Sequence, residues 1–165
     1  MAKVLVIDYE KCTGCRICEQ VCSVKHEGVV NPSRARIKVI KWESEGRYVP
    51  MSCQQCESAP CQAICPVKAI SHDESLNRVM VDYDTCIGCR MCVAICPFGA
   101  MSFDGLAQKV IKCDFCDGEA LCASFCEVKA IKYADASVQS TDKQVTVADK
   151  FTGILQKVAA AIATV

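Results

Sequence analysis

The chain has 165 residues, enough for one compact domain or two small ones; sixteen are cysteine and only 6% are aromatic. Nineteen basic side chains balance nineteen acidic ones, which argues against a nucleic-acid-binding protein that relies on a basic surface. No apolar run approaches the roughly 20 residues of a membrane-spanning helix, and the N-terminus resembles no export signal, so a cytoplasmic location without a membrane span is expected.

Short strands and single helical turns are predicted along most of the chain. Apolar and β-branched runs predict strands at residues 4–8, 37–41, 69–71, 79–83, 100–103 and 109–112. Residues 137–146 form a predicted polar linker, and residues 147–165 have the apolar spacing of an amphipathic helix. This helix either packs on its own domain or docks on a partner or another copy of the chain, which would allow self-association.

The sixteen cysteines fall into four groups of four. They are Cys12, Cys15, Cys18 and Cys22; Cys53, Cys56, Cys61 and Cys65; Cys86, Cys89, Cys92 and Cys96; and Cys113, Cys116, Cys122 and Cys126. Disulfides are not expected in a reducing compartment. The first and third groups have the C-x2-C-x2-C-x3-C spacing of bacterial ferredoxins, in which the fourth cysteine ligates the other [4Fe–4S] cluster of a pair. The second and fourth groups are wider.

Zinc is the alternative to iron–sulfur clusters. Zinc sites usually combine two C-x2-C pairs that lie a dozen or more residues apart. The first and third groups do not match that arrangement, whereas the second and fourth, taken alone, leave zinc open. Because all four groups occur together, four [4Fe–4S] clusters are predicted.

The chain also repeats itself, which predicts an α+β fold of two ferredoxin-like modules. Val4–Cys18 resembles Val79–Cys92, and Cys65–Ile70 resembles Cys126–Ile131, as if a two-group unit had been duplicated. Each module would hold two [4Fe–4S] clusters among short hairpins and short helices, followed by the C-terminal amphipathic helix. Two glycines, at 14 and 88, are expected to relieve crowding beside inorganic sulfide.

No set of residues suggests bond-making chemistry, so a non-catalytic role is predicted. His26 and His72 lie outside the cysteine groups and are expected to be surface or turn residues. Two interpretations are open for four basic residues beside the cysteines: they are solvated charges, or they offset cluster charge and raise the reduction potential. These residues are Lys11, Arg16, Arg90 and Lys112.

A family resemblance is carried by the cysteine groups together with two segments, Val81–Cys92 and the following Cys96-Pro97-Phe98-Gly99-Ala100. Over residues 3–134 the chain resembles the four-cluster electron-transfer subunits of molybdenum and tungsten pterin enzymes, the dimethyl sulfoxide reductase iron–sulfur subunit family. Its near-minimal length is similar to that of compact members, such as the small subunit of bacterial tungsten aldehyde oxidoreductases. Glu127 replaces the family's usual proline without removing a ligand.

The resemblance implies how the cysteines pair. In the family the first group is joined to the fourth and the second to the third, within one four-cluster domain that would span residues 1–136. The implied ligand sets are Cys12/Cys15/Cys18/Cys126, Cys22/Cys113/Cys116/Cys122, Cys53/Cys56/Cys61/Cys96 and Cys65/Cys86/Cys89/Cys92.

The resemblance also implies an electron relay. Its partners would be a large catalytic subunit with a tungsten or molybdenum pterin and a second redox partner, namely a flavoprotein, a ferredoxin or a hydrogenase. A freely diffusing polyferredoxin, or the electron carrier of a hydrogenase or carbon monoxide dehydrogenase complex, is the alternative. Sixteen thiolates and four oxidised cores of about 2+ each would bring the net charge to −8, which favours partners with a basic docking surface.

Overall fold

The computed structural model describes residues 3–137, which form an α+β chain of short elements, and the predicted α+β class is confirmed. The strands are β1 (Lys3–Ile7), β2 (Lys38–Trp42), β3 (Arg47–Met51), β4 (Ile70–Asp73), β5 (Arg78–Val81), β6 (Ser102–Asp104), β7 (Lys109–Ile111) and β8 (Ile131–Asp135). The α-helices are α1 (Ile17–Glu27), α2 (Pro60–Ala63), α3 (Met91–Ile95) and α4 (Leu121–Ser124). The predicted helix at 147–165 lies outside the described residues.

The strands pair in twos, and the pairing follows the internal repeat. β2 with β3, β4 with β5, and β6 with β7 form antiparallel hairpins, whereas β1 pairs with β8 from the far end of the cysteine-containing region. β1 and β5 precede the two ferredoxin-spaced cysteine groups, and β8 and β4 follow the two wider groups. The strand pairs therefore connect the first cysteine group with the fourth and the second with the third, which is the same pairing as in the implied ligand sets.

Two of the hairpins close with the same turn. Asp73 Oδ1 accepts from the backbone N–H of Ser75 at 3.0 Å, and Asp104 Oδ1 accepts from that of Leu106 at 2.9 Å. The last turn residue has a positive φ in both, 48° at Asn77 and 51° at Gln108. Asp and Asn favour such turns because their short side chains bond to the local backbone.

Helix α1 is longer than the single helical turn that the sequence predicts. Gly28 caps its C-terminal end: it has a φ of 72° and donates its N–H to the Val24 carbonyl at 2.9 Å. Glycine adopts this left-handed backbone conformation without strain. On its inner face Glu19 is 1% exposed, and its Oε1 accepts the Val39 N–H at 2.7 Å. This bond holds α1 against β2.

Cysteines belong to both hydrophobic clusters of the core. The buried members of the first are Cys18, Cys22, Ala35, Ile37, Val39, Ala120, Cys122, Ala123 and Ile131. The buried members of the second are Ala59, Cys61, Ile70, Val79, Cys92, Met101 and Val110. Most of the apolar members are small or β-branched, so the volume of the core depends on what the thiols hold.

The chain divides into two compact units. Residues Leu5–Tyr133 form one and contain all sixteen cysteines. The described residues of the other are 3–4 and 134–137. Between residues 3 and 137 no helix has the length and apolar character needed to cross a membrane.

Candidate metal centre

Three cavities of nearly equal size are each lined by four cysteines. Thiol set A (Cys12, Cys15, Cys18 and Cys126) lines a cavity of about 340 Å³. Thiol set C (Cys53, Cys56, Cys61 and Cys96) lines one of about 350 Å³. Thiol set D (Cys65, Cys86, Cys89 and Cys92) lines one of about 330 Å³. Each set takes three cysteines from one group in the sequence and the fourth from another.

The remaining four cysteines also lie close together. We name Cys22, Cys113, Cys116 and Cys122 thiol set B. Burial raises the pKa of the Cys122 thiol, and the other three thiols of the set add to that rise. Burial likewise raises the pKa of Cys113 to about 12 and that of Cys116 to about 11, and Cys22 contributes to both. The structure therefore brings Cys22, on α1, to the three cysteines of the fourth group.

The composition of the sets favours a cluster over a single zinc ion. Zinc sites usually combine two C-x2-C pairs. Each of sets A, C and D instead combines three cysteines of one group with a single cysteine of another. Ferredoxins hold their [4Fe–4S] clusters with this three-plus-one arrangement, so the residues present fit such a cluster.

The contacts between the sets give the order A–B–C–D. Cysteines of sets A and B share the first core cluster, and cysteines of sets C and D share the second. Gln55 connects set C to set B, because its backbone N–H lies 3.5 Å from Cys53 Sγ and its Nε2 donates to the Cys113 carbonyl at 2.8 Å. Set A therefore lies at one end of the row and set D at the other.

Only the two end sets contain an exposed cysteine. Cys15 of set A and Cys89 of set D are exposed, whereas all four cysteines of set B are buried. In set C, Cys61 is buried and the other three are intermediate. The described chain thus covers the middle of the row more completely than its ends.

The glycines at 14 and 88 are needed for close packing against the protein itself. Gly14 has a φ of 71°, and a Cβ there would lie 2.6 Å from the ring of Tyr48. Gly88 has a φ of 67°, and its Cβ would lie 2.6 Å from the backbone carbonyl oxygen of Gln108. Close approach to inorganic sulfide, the reason expected from the sequence, stays a prediction.

Three of the four basic residues beside the cysteines are exposed, and each has a partner. Lys11 pairs with Asp8 at 2.7 Å, and the Arg16 Nε donates to Glu19 Oε2 at 2.5 Å. The Arg90 guanidinium lies 3.9 Å from the centre of the Phe103 ring. The fourth, Lys112, is 2% exposed, so the interpretation of a solvated charge is wrong for this residue.

His26 is a part of the candidate site that the sequence did not indicate. Its side chain is 10% exposed, and its Nε2 lies 3.6 Å from Cys116 Sγ of set B and 3.5 Å from Asp114 Oδ1. The expectation of a surface or turn residue is therefore wrong for His26. Because His26 lies four residues after Cys22 on α1, helical spacing could have placed the two side chains on one face.

Sites that take three cysteines from one group and a fourth from another are typical of ferredoxin-like iron–sulfur proteins. Residues 44–136 match the family model described as a 4Fe-4S dicluster domain, and residues 3–24 match one described as a 4Fe-4S binding domain. The chain belongs to the 4Fe-4S dicluster domain family, and [4Fe–4S] clusters are its cofactor.

Several curated proteins are similar over most of their length. The "Aliphatic sulfonate oxidoreductase, polyferredoxin-like subunit" of Pyrococcus furiosus is 38% identical over 74% of this chain and 70% of its own. The "Thiosulfate reductase electron transfer subunit PhsB" of Salmonella typhi is 34% identical over 79% and 74%. The "Electron transport protein HydN" of Escherichia coli K12 is 36% identical over 82% and 89%.

A solved structure has a similar fold. It is a chain of the "Active site complex BamBC of Benzoyl Coenzyme A reductase in complex with Zinc", with 23% identity and a TM-score of 0.50. The match covers 94% of this chain and 98% of that one. At this level of identity the match concerns the fold alone.

Proposed function

We propose that this protein is an electron-transfer subunit that relays single electrons through four [4Fe–4S] clusters, held by thiol sets A, B, C and D. The observation that carries the proposal is the row of sets, in which each set is in contact with the next through a shared core cluster or through Gln55. When bound, such clusters take up and release one electron at a time. The relatives named as electron-transfer or electron-transport proteins support the same role.

The chain's own residues hold the cofactors, keep them in order and exclude water from the middle of the row. We place the two points of electron exchange with partners at set A and set D, because these sets contain the exposed cysteines, Cys15 and Cys89. Burial of all four cysteines of set B would keep reactive solvent species and unintended partners from the interior of the row.

The partner at one end would be the large catalytic subunit of an oxidoreductase, with a tungsten or molybdenum pterin. The partner at the other end would be a flavoprotein, a ferredoxin or a hydrogenase. Relatives named as subunits of a thiosulfate reductase and of an aliphatic sulfonate oxidoreductase support the subunit role. The second candidate, a freely diffusing polyferredoxin, is favoured by exposed cysteines at both ends of the row, since neither end requires a permanent partner.

An anoxic affinity purification from the native host separates the two candidates. The subunit proposal predicts a large co-purifying chain that carries tungsten or molybdenum, beside about sixteen irons per copy of this protein. Recovery of the protein alone with the same iron content would favour the polyferredoxin. Zinc in place of iron would contradict both.

Self-association through residues 147–165 remains a prediction from the sequence. Deletion of residues 145–165 should lower the particle mass in anoxic light scattering if this segment joins copies of the chain. An unchanged mass would contradict this prediction.

A further inference from the structure

Lys112 is a buried basic residue at the junction of thiol sets B and C. It is 2% exposed, it lines the cavity of set C, and it immediately precedes Cys113 of set B. No ion pair among residues 3–137 includes it. Its side chain is therefore enclosed without a carboxylate partner.

The hydrogen bonds of Lys112 indicate that the side chain is charged. Its Nζ donates to Gln55 Oε1 at 2.9 Å, to the Cys113 carbonyl at 3.1 Å and to the Val79 carbonyl. All three partners are acceptors, and only an ammonium group has three N–H donors and no lone pair. The partners are neutral, so they satisfy the hydrogen bonds of the cation but do not neutralise its charge.

The carboxylates on the neighbouring segments are paired with other cations. Asp114 Oδ2 accepts from Arg36 Nη1 at 2.5 Å. Asp73 and Asp117 pair with Arg78 at 3.0 and 2.7 Å. A buried cation without a counter-charge is strongly unfavourable. The counter-charge for Lys112 would come from the neighbouring thiolate-ligated clusters, because four thiolates around a core of about 2+ leave a net charge of about −2.

Both neighbouring sites are suitably placed to supply that anion. Burial raises the pKa of the Cys61 thiol of set C, and the charge of Lys112 opposes the rise, so the ammonium acts on this site. Gln55 extends the same network, because its backbone N–H lies 3.5 Å from Cys53 Sγ and its Nε2 donates to the Cys113 carbonyl at 2.8 Å. One polar network therefore joins set C to set B.

We propose that the Lys112 ammonium is a positioned counter-charge shared by sets B and C, which raises the reduction potentials of their two clusters relative to those of sets A and D. This inference rests on the proposed relay. Each one-electron reduction by a redox partner adds one negative charge beside Lys112, and the charge leaves when the electron passes to the next set. A nearby cation stabilises the reduced form, so entry of the electron into set B or set C from either end of the row becomes more favourable, whereas the driving force between sets B and C changes little.

The test is an anoxic, EPR-monitored redox titration of the holoprotein and two variants. Lys112→Met removes the charge, keeps a long side chain and leaves Gln55 bonded to both Val79 and Cys113. Lys109→Met makes the same change in charge at an exposed position three residues earlier and is the matched control. The signals of sets B and C are assigned from their loss in Cys116→Ser and Cys56→Ser.

The expected result is a lower potential for two clusters, those of sets B and C, in Lys112→Met at unchanged iron content, with no shift in Lys109→Met. Unchanged potentials in an iron-replete Lys112→Met would overturn the inference and leave the relay intact. If Lys112→Met loses iron, retention of iron by Lys112→Arg supports the counter-charge, whereas equal loss in both variants overturns it. Wild-type protein without iron–sulfur clusters would instead refute the proposed function itself.

Discussion

The backbone N–H of Asp8 donates to the carbonyl oxygen of Ala130 at 2.8 Å, joining two segments from opposite ends of the cysteine-containing region. Asp8 ends the segment that leads to Cys12, and Ala130 follows Cys126. The bond therefore fixes the last cysteine of the chain beside the first group. Pairing of distant segments by backbone bonds, rather than local sequence, brings set A together.

The same relationship occurs in the other half of the repeat. The N–H of Asp82, ahead of Cys86, donates to the carbonyl of Ala69, behind Cys65, at 2.7 Å. The sheet of β1 and β8 thus brings a fourth cysteine to the other three of set A, and the sheet of β4 and β5 does the same for set D.

The first prediction tests this exchange of cysteines between groups. Cys126→Ser and Cys15→Ser should each remove the same EPR signal and about one quarter of the iron, because both residues belong to set A. Cys116→Ser, a member of the fourth sequence group with Cys126, is the control and should remove a different signal. Loss of one common signal in Cys126→Ser and Cys116→Ser would contradict the exchange.

The second prediction concerns the tight approach at Gly88. Gly88→Ala should strain a positive φ and force a Cβ against the Gln108 carbonyl, which cannot yield as a side chain could. Gly46→Ala is the control, because it has the same backbone strain from a positive φ, about 1–2 kcal/mol, but open space around the added Cβ. Denaturant midpoints followed by visible absorption should therefore fall further for Gly88→Ala. Equal midpoints in the two variants would rule out a role for the clash.

The third prediction concerns the buried carboxylate on α1. Glu19→Ala leaves the buried Val39 N–H without its acceptor, which should lower the free energy of unfolding by about 1–3 kcal/mol. Glu10→Ala, at an exposed position, is the control and should change it little. Guanidinium denaturation under anoxic conditions measures the free energy of unfolding of both variants. A Glu19→Ala variant as stable as Glu10→Ala would show that the bond to Val39 does not stabilise the fold.

The fourth prediction is that the fold depends on iron. Cysteines belong to both core clusters, and most of the apolar members of these clusters are small or β-branched, so an iron-free chain would lack the groups that complete its core. Anoxic chelation should abolish the far-ultraviolet circular dichroism of the short helices and strands. Retention of the native spectrum after complete removal of iron would show that the polypeptide alone supports the fold.

The cysteine spacing and the internal repeat predict much of this molecule because both depend on local sequence. The predicted strands at 79–83 and 109–112 correspond to β5 and β7. The length of helix α1 was missed because its buried face carries thiols and Glu19 rather than periodic apolar residues. β3 was missed because it contains Pro50, which counts against a strand in any local reading.

The two lysines that precede a cysteine show where local information ends. In both cases the next residue is a cysteine, Cys12 after Lys11 and Cys113 after Lys112. Lys11 has a 54% exposed side chain and pairs with Asp8, whereas Lys112 is buried between two candidate cluster sites. Residues distant in sequence, among them Gln55 and Val79, create this difference, so only the folded chain shows it.

The most direct test of the relay is an anoxic reductive titration of the purified holoprotein, with iron quantified in the same sample. We expect about sixteen irons per chain and reversible uptake of about four electrons, one for each thiol set. Uptake of fewer electrons at full iron content, or zinc in any of the four sets, would contradict a four-cluster row.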